Sequence, residues 1–160
     1  MAASPPKYHL LRDLTHSLPM SLLRTREAVV QRFREVLSQH DLTEQQWRVL
    51  RALDGQDPLE TSLLAEQCQI LLPSILGIVK RLEARDLLSR RVSAKDGRIT
   101  LVSLTPGSRV MIDRIKPEIV EVYAQIEGIL GRVKLEQLYG LLEELEDGLR
   151  TSTDPGNSVP

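Results

Sequence analysis

The stretch from Lys80 to Arg98 holds seven cations (Lys80, Arg81, Arg85, Arg90, Arg91, Lys95 and Arg98) against three acids (Glu83, Asp86 and Asp96). The chain as a whole carries a formal net charge of −1, so this excess of positive charge is local. From Glu136 to Arg150 the sign reverses, with five acids and one base. A basic cluster on a near-neutral chain is a footprint for a polyanion; scattered solvated charge is the plain alternative. The cluster has a shape as well as a sign. Asp96-Gly97 sits between two apolar or β-branched runs, Leu87 to Ser93 and Ile99 to Leu104, which is a hairpin signal. Lys95 and Arg98 flank the turn, and Arg90 and Arg91 back it from the preceding strand. A slender cationic tip of this kind fits a minor groove, whose potential is most negative over narrow A·T tracts. Asp96 is placed to pair with Arg98 and fix its direction. A surface hairpin with ordinary charges is the competing reading.

Other chemistries find little support. His9, His16 and His40 are scattered, and none stands at metal-ligand spacing with Cys68. There is no glycine-rich phosphate loop and no nucleophile elbow. Glu143-Glu144 with Glu146-Asp147 reads as a solvated helix face rather than a pair of working carboxylates. The sequence therefore predicts a protein that is not an enzyme and needs neither metal nor cofactor. The lone Cys68 excludes an intrachain disulfide and points to a reducing compartment. No apolar run approaches the roughly 20 residues that span a bilayer. Met1 to Lys7 lacks a basic stretch leading into an apolar one, so the expected location is the cytoplasm, away from membranes. With 160 residues, 41% hydrophobic and 27% charged, the chain is expected to form one globular domain. Its five aromatic residues make that core aliphatic.

The elements that would position the hairpin follow from periodicity. Leu18, Leu22, Val29, Phe33 and Val36/Leu37 recur at helical steps over Leu18 to Gln39. Thr43 and Gln46 form a capping box, with Leu42 and Trp47 at the staple positions, opening a helix over Thr43 to Leu53 that ends in Asp54-Gly55-Gln56-Asp57-Pro58. Two short helices follow, Glu60 to Gln67 and Pro73 to Arg85, with Pro73 expected at the first helical position. So short a connection makes a helix-turn-helix, whose second helix can enter a major groove. After the hairpin, Thr105-Pro106 opens a long helix faced by Ile115, Ile119, Val122 and Ile126, which Pro117 should kink. Beyond Gly128 to Gly131, a last helix carries Leu135, Leu138, Leu142, Leu145 and Leu149. The terminal helices present broader apolar faces than a small domain covers, which predicts a twofold dimer; an intrachain bundle is the alternative. The expected fold is mainly α with a small β-hairpin, a winged helix-turn-helix with long terminal helices forming a dimerisation region. Its divisions are a flexible tail at 1–10, a dimerisation helix at 11–41 (a ligand-pocket helix too, by the family resemblance that follows), a DNA-binding lobe at 42–104, dimerisation helices at 105–150 and a flexible tail at 151–160.

These residues resemble the MarR (multiple antibiotic resistance regulator) family. The likeness lies in the order of elements, in Asp96-Gly97-Arg98 running on to Leu104-Thr105, and in Arg81-Leu82-Glu83 followed by Leu87-Leu88 and Arg90. Arg26-Glu27-Ala28, Leu42-Thr43-Glu44-Gln45-Gln46-Trp47-Arg48, Pro73-Ser74 and Gly77-Ile78 are similar to the homoprotocatechuate-operon regulator branch. The resemblance covers most of Leu18 to Leu145.

The resemblance implies a dimeric repressor that binds a pseudo-palindromic double-stranded operator and releases it when a small aromatic acid binds, as in aromatic catabolism. It also implies a pocket between the dimer region and the winged-helix lobe. On this chain Arg26 is the leading carboxylate clamp, because a guanidinium bonds a carboxylate bidentately. Trp47 is an aromatic wall, or simply the staple that seats its helix; His16, Ser17 and Arg51 are further candidates. Two features depart from the wider pattern. Leu72, Leu76 and Gly77 stand where recognition helices often carry polar groups. Base readout is thus left to Gln69, Ser74 and Lys80, with thymine-methyl contacts from Leu72 or Leu76 near Pro73. Asp86 stands where glycine commonly closes that helix, and Asp tolerates the left-handed conformation. Two other readings stay open: a redox-sensing regulator acting through Cys68, and a winged helix used only for protein interaction.

Overall fold

Local signals open and close the helices around the site. In the computed structural model, which describes residues 17–152, Ser17 Oγ accepts the Met20 N–H at 3.4 Å and starts helix α1 (Leu18–Ser38). Helix α2 (Glu44–Gly55) begins on the full capping box: Thr43 Oγ1 accepts from Gln46 N–H, and Gln46 Oε1 accepts from Thr43 N–H. It runs through Asp54 and Gly55, past the expected stop at Leu53. A two-residue strand β1 (Leu59–Glu60) leads into α3 (Thr61–Gln67), and α4 (Leu72–Glu83) completes the helix-turn-helix. Leu72, not Pro73, takes the first position of α4. Pro73 at the second still falls in the first turn, where a missing N–H breaks no helix bond. Strands β2 (Leu88–Val92) and β3 (Thr100–Leu104) follow, then α5 (Pro106–Leu130) and α6 (Arg132–Ser152). Thr105 caps α5, its Oγ1 accepting the Ser108 N–H at 3.1 Å, and the helix continues through Pro117. Helix α6 reaches two residues into the expected 151–160 tail; the tail at 1–10, His9 and His16 lie outside the described residues.

The expected hairpin is one part of a three-stranded antiparallel sheet with strand order β1-β3-β2. Leu59 pairs with Val102 and Glu60 with Leu101, while Leu88 to Val92 run against Leu104 to Thr100. A two-residue strand beside Pro58 has no periodicity to announce it. Its place is set by burial, since Leu59 is enclosed together with Val102 and Leu104.

Three helix ends in this region close on residues with left-handed backbone, none of them glycine: Asp41 (φ 54°), Gln69 (φ 50°) and Asp86 (φ 55°). In each case the next N–H reaches back five residues, Leu42 to Leu37, Ile70 to Ala65 and Leu87 to Leu82. That is the helix-closing bond of a Schellman motif, and it satisfies carbonyls the helix itself leaves open. The aliphatic core beneath them includes Leu37, Leu50, Leu64, Ile75, Leu82 and Ile112, all fully enclosed.

The chain divides into one compact unit that extends to Ile119 and a second from Val120 onward. In the second, Gly131 (φ 78°) turns α5 into α6 with a conformation that costs other residues strain. The expected apolar face of α6 is largely uncovered in a single chain. Leu138, Leu142 and Leu149 are exposed, and Leu135 and Leu145 are half-buried.

Candidate functional site

The chain bends by 107° between α3 and α4, which stands α4 out as a separate ridge. Ile75, Ile78, Val79 and Leu82 anchor its inner face in the core. The opposite face is open: Leu72, Pro73, Ser74, Leu76 and Lys80 are all exposed, as is Gln69 in the preceding turn. The structure thus places five of the six residues expected to face a major groove on the open side of α4, with Gln69 in the turn just before it. Three leucines on this ridge, Leu71, Leu72 and Leu76, are 79%, 44% and 46% exposed, an unusual density of apolar surface for a solvated helix.

The wing tip is built by backbone hydrogen bonds. Ser93 N–H donates to Ile99 O, Ile99 N–H to Asp96 O, and Lys95 N–H to Ser93 Oγ. The expected pairing of Asp96 with Arg98 takes a different form: Asp96 Oδ1 accepts the Arg98 backbone N–H at 2.9 Å. Asp96 therefore shapes the turn rather than neutralising the guanidinium. Among the described residues Arg91, Lys95 and Arg98 enter no ion pair and are exposed. Arg90 differs from them. Its Nε donates to Glu83 Oε2 at 2.8 Å, and its Nη2 lies 2.5 Å from the same oxygen. This hydrogen bond holds the Glu83 carboxyl below its ordinary pKa and raises that of Arg90. Arg90 stands on the strand behind the tip as expected, and there it pairs with Glu83 and ties the wing to the end of α4.

The residues expected to hold an aromatic acid are partly assembled. Trp47 is buried in the core beside Leu42, as the staple requires, and the Arg51 guanidinium lies 6.0 Å from its ring centre. Arg51 also approaches Asp54 at 3.5 Å. Arg26 on α1 reaches α2, with Nη2 3.9 Å from Glu44 Oε2, and its Nη1 donates to Glu27 Oε1 at 3.2 Å. Glu27 is engaged mainly elsewhere. Arg34 bonds both its oxygens, and that hydrogen bond is the largest cause lowering its pKa. Ser17 caps α1 nine residues before Arg26, about 13 Å along a helix axis. Within one protomer, then, the two do not meet on a single-ring acid.

Sequence reasoning missed several links. Arg48 pairs with Glu44 and donates from Nη1 to the Cys68 carbonyl at 2.8 Å. Lys116 lies 3.0 Å from Asp54, Arg109 pairs with Asp57, and His40 Nε2 stands 2.9 Å from Glu118 Oε1. The Glu44–Arg48 spacing of four on a helix was a readable signal. The others join residues far apart in the chain. Cys68 itself is fully enclosed, and burial pushes its thiol pKa up, which weakens it as a redox centre.

An exposed ridge beside a cationic wing, on a helix-turn-helix backed by a small sheet, defines a winged helix-turn-helix module. Residues 40–99 match the MarR family. The homoprotocatechuate degradative operon repressor of Escherichia coli is 39% identical over 128 residues, covering 80% of this chain and 86% of that protein. The chain belongs to the MarR family and is a transcriptional regulator. Among solved structures, NadR in complex with 4-hydroxyphenylacetate is similar at 35% identity and a TM-score of 0.70, covering 91% of this chain and 97% of that one. CouR, a transcriptional repressor bound to a 23-mer DNA duplex, matches at 26% identity and a TM-score of 0.78, covering 89% and 99%. Among the described residues no single helix is long and apolar enough to cross a membrane.

Proposed function

We propose that this protein is a homodimeric repressor of an aromatic-catabolism operon, working in the cytoplasm and released from its operator by a small aromatic or heteroaromatic carboxylic acid. One observation carries the DNA reading: the open face of α4 and the cations Arg91, Lys95 and Arg98, which enter no ion pair among the described residues, belong to one winged module. Helix α4 enters the major groove and the wing follows the adjacent backbone and minor groove. Residues 42–104 form the reading lobe, while residues 11–41 and 105–150 supply the dimer. The exposed leucines at the start of α1 (Leu18, Leu22, Leu23) and along α6 support that dimer. Twofold symmetry then sets half-sites about one helical turn apart.

The effector reading is supported by the likeness to NadR with its bound 4-hydroxyphenylacetate and to the Escherichia coli repressor. Arg26 clamps the acid's carboxylate, Trp47 and Arg51 border its ring, and Ser17, at the start of the same helix as Arg26, is a further contact together with His16, which lies outside the described residues. Fluorescence anisotropy on a duplex from the gene's own upstream region tests both halves. The protein binds that duplex at least tenfold more tightly than a scrambled one, and 4-hydroxyphenylacetate or a related single-ring acid releases it. Arg26→Ala keeps the operator affinity and loses the response. Equal affinity for both duplexes, insensitive to salt, points instead to a protein-interaction module.

A further inference from the structure

Glu44 is shared. One of its oxygens lies 3.9 Å from Arg26 on α1, and the other pairs with Arg48 one turn along α2. Arg48 in turn donates to the carbonyl of Cys68, the C-cap residue that follows α3 at the start of the turn. That carbonyl belongs to a helix end and lacks a partner within its own helix. The next residue, Gln69, holds the left-handed conformation that redirects the chain into α4. A continuous chain of charged groups therefore runs from α1, through Glu44 and Arg48, to the backbone that sets the direction of the recognition helix.

The two ends of this chain differ in strength. The Arg26–Glu44 approach is at the outer limit of an ion pair, and Glu27, the other partner of Arg26, is committed to Arg34. The Arg26 guanidinium is thus open to a better carboxylate. An acid bound bidentately there places a second negative group beside Glu44, and the repulsion acts on the residue that holds Arg48 against Cys68 O.

We propose that Arg48 is a positioning residue that couples the effector to the DNA-reading turn, with Glu44 as the group whose displacement carries the signal. The proposal rests on the effector reading above for its trigger, but Arg48's hold on the turn stands without it. Arg48→Gln and Arg48→Lys, each checked for native circular dichroism and dimer mass, are compared with wild type and with Glu44→Gln. Without any acid, both Arg48 variants bind the operator at least fivefold more weakly. The slope of affinity against salt stays unchanged, because Arg48 touches no phosphate. With 4-hydroxyphenylacetate present, the ratio of operator affinities with and without acid falls toward one in the Arg48 variants, although calorimetry still detects the acid binding.

Glu44→Gln separates the roles further. Removing the competing carboxylate tightens the acid severalfold while the coupling ratio falls, an opposition that lost stability alone does not produce. Unchanged acid-free operator affinity in both Arg48 variants overturns the positioning role. A wild type that responds to the acid, with variants that respond equally, overturns the coupling alone. A wild type that ignores every single-ring acid overturns the effector reading and the coupling with it, and leaves the acid-free result to decide the rest.

Discussion

Replacing Arg98 by alanine and Glu83 by glutamine should move the salt dependence of DNA binding in opposite directions. Arg98 pairs with no acid among the described residues and stands at the wing tip, and the bond that shapes the turn uses its backbone N–H, which alanine retains. Arg90 is held by Glu83, so glutamine at position 83 frees a second cation for the phosphates. Each phosphate contact adds roughly 0.9 to the slope of log affinity against log salt. With two wings per dimer, Arg98→Ala lowers the slope by about 1.8, so that raising salt from about 50 to about 200 mM costs the variant roughly twelvefold less affinity than wild type. Glu83→Gln steepens the slope by up to about the same amount.

The sign of the Glu83 effect is independent of pH across the neutral range. Its carboxyl pKa is depressed in the folded protein by the Arg90 hydrogen bond. The pair is therefore intact above the ordinary carboxylate pKa and is lost only as pH falls through the depressed value. Anisotropy titrations on one operator duplex at four or five salt concentrations measure all three slopes. An Arg98→Ala slope equal to wild type removes the wing from the phosphates. A Glu83→Gln slope that stays flat or falls refutes the assignment of Arg90 as a neutralised strut.

Asp86 adopts φ 55° at the end of α4, so Asp86→Ala destabilises by about 1 kcal/mol in urea denaturation while Asp86→Gly is neutral or slightly stabilising; equal losses for both would exclude backbone strain as the cause. Burial raises the Cys68 thiol pKa, so the folded protein keeps a proton that the unfolded chain loses. The corresponding stability is complete below about pH 8.5 and declines as pH rises toward the raised value; Cys68→Ala should flatten that decline in melting temperature, and iodoacetamide should modify the native thiol far more slowly than the unfolded one. If α4 enters the major groove as proposed, operator thymines facing Leu72 and Leu76 contribute through their methyl groups. Uracil at such a position weakens binding by about 0.8 kcal/mol per methyl, or roughly fourfold, in the same anisotropy assay; no loss at any thymine removes these leucines from base readout.

What could be read in the sequence was what is decided within a few residues. The capping box at Thr43 and Gln46, the N-cap at Thr105 and the left-handed Asp86 each depend on partners close in the chain, and each occurs as expected. The inward row Ile75, Ile78, Val79 and Leu82 follows from period alone, and it left Leu72, Leu76 and Lys80 outside. Partnerships across elements were hidden. Arg90 looked like every other wing cation, because nothing local says that Glu83, seven residues back, reaches across from α4. The Arg48 bond was less visible still, since its acceptor is a backbone carbonyl twenty residues away and carries no residue-type signal. Strand β1 is a two-residue run, too short to have a period.

Those hidden partnerships change how recognition divides between the two surfaces of the module. With Arg90 neutralised and Asp96 turned to the backbone, the wing supplies three free cations among the described residues, which in the proposed complex suits it to charge and groove width rather than to bases. The ridge of α4 offers only Gln69, Ser74 and Lys80 as polar reach, among leucines that discriminate by methyl contact. Neither surface alone provides the dense hydrogen-bond pattern of a strong direct reader. Discrimination must then come from geometry, meaning the spacing of two ridges in a dimer and the direction each ridge takes from its turn. A regulator built this way is sensitive to small rotations of α4. For that reason the backbone at Cys68 and Gln69, held from α2 by Arg48, is an effective place for a ligand on α1 to act.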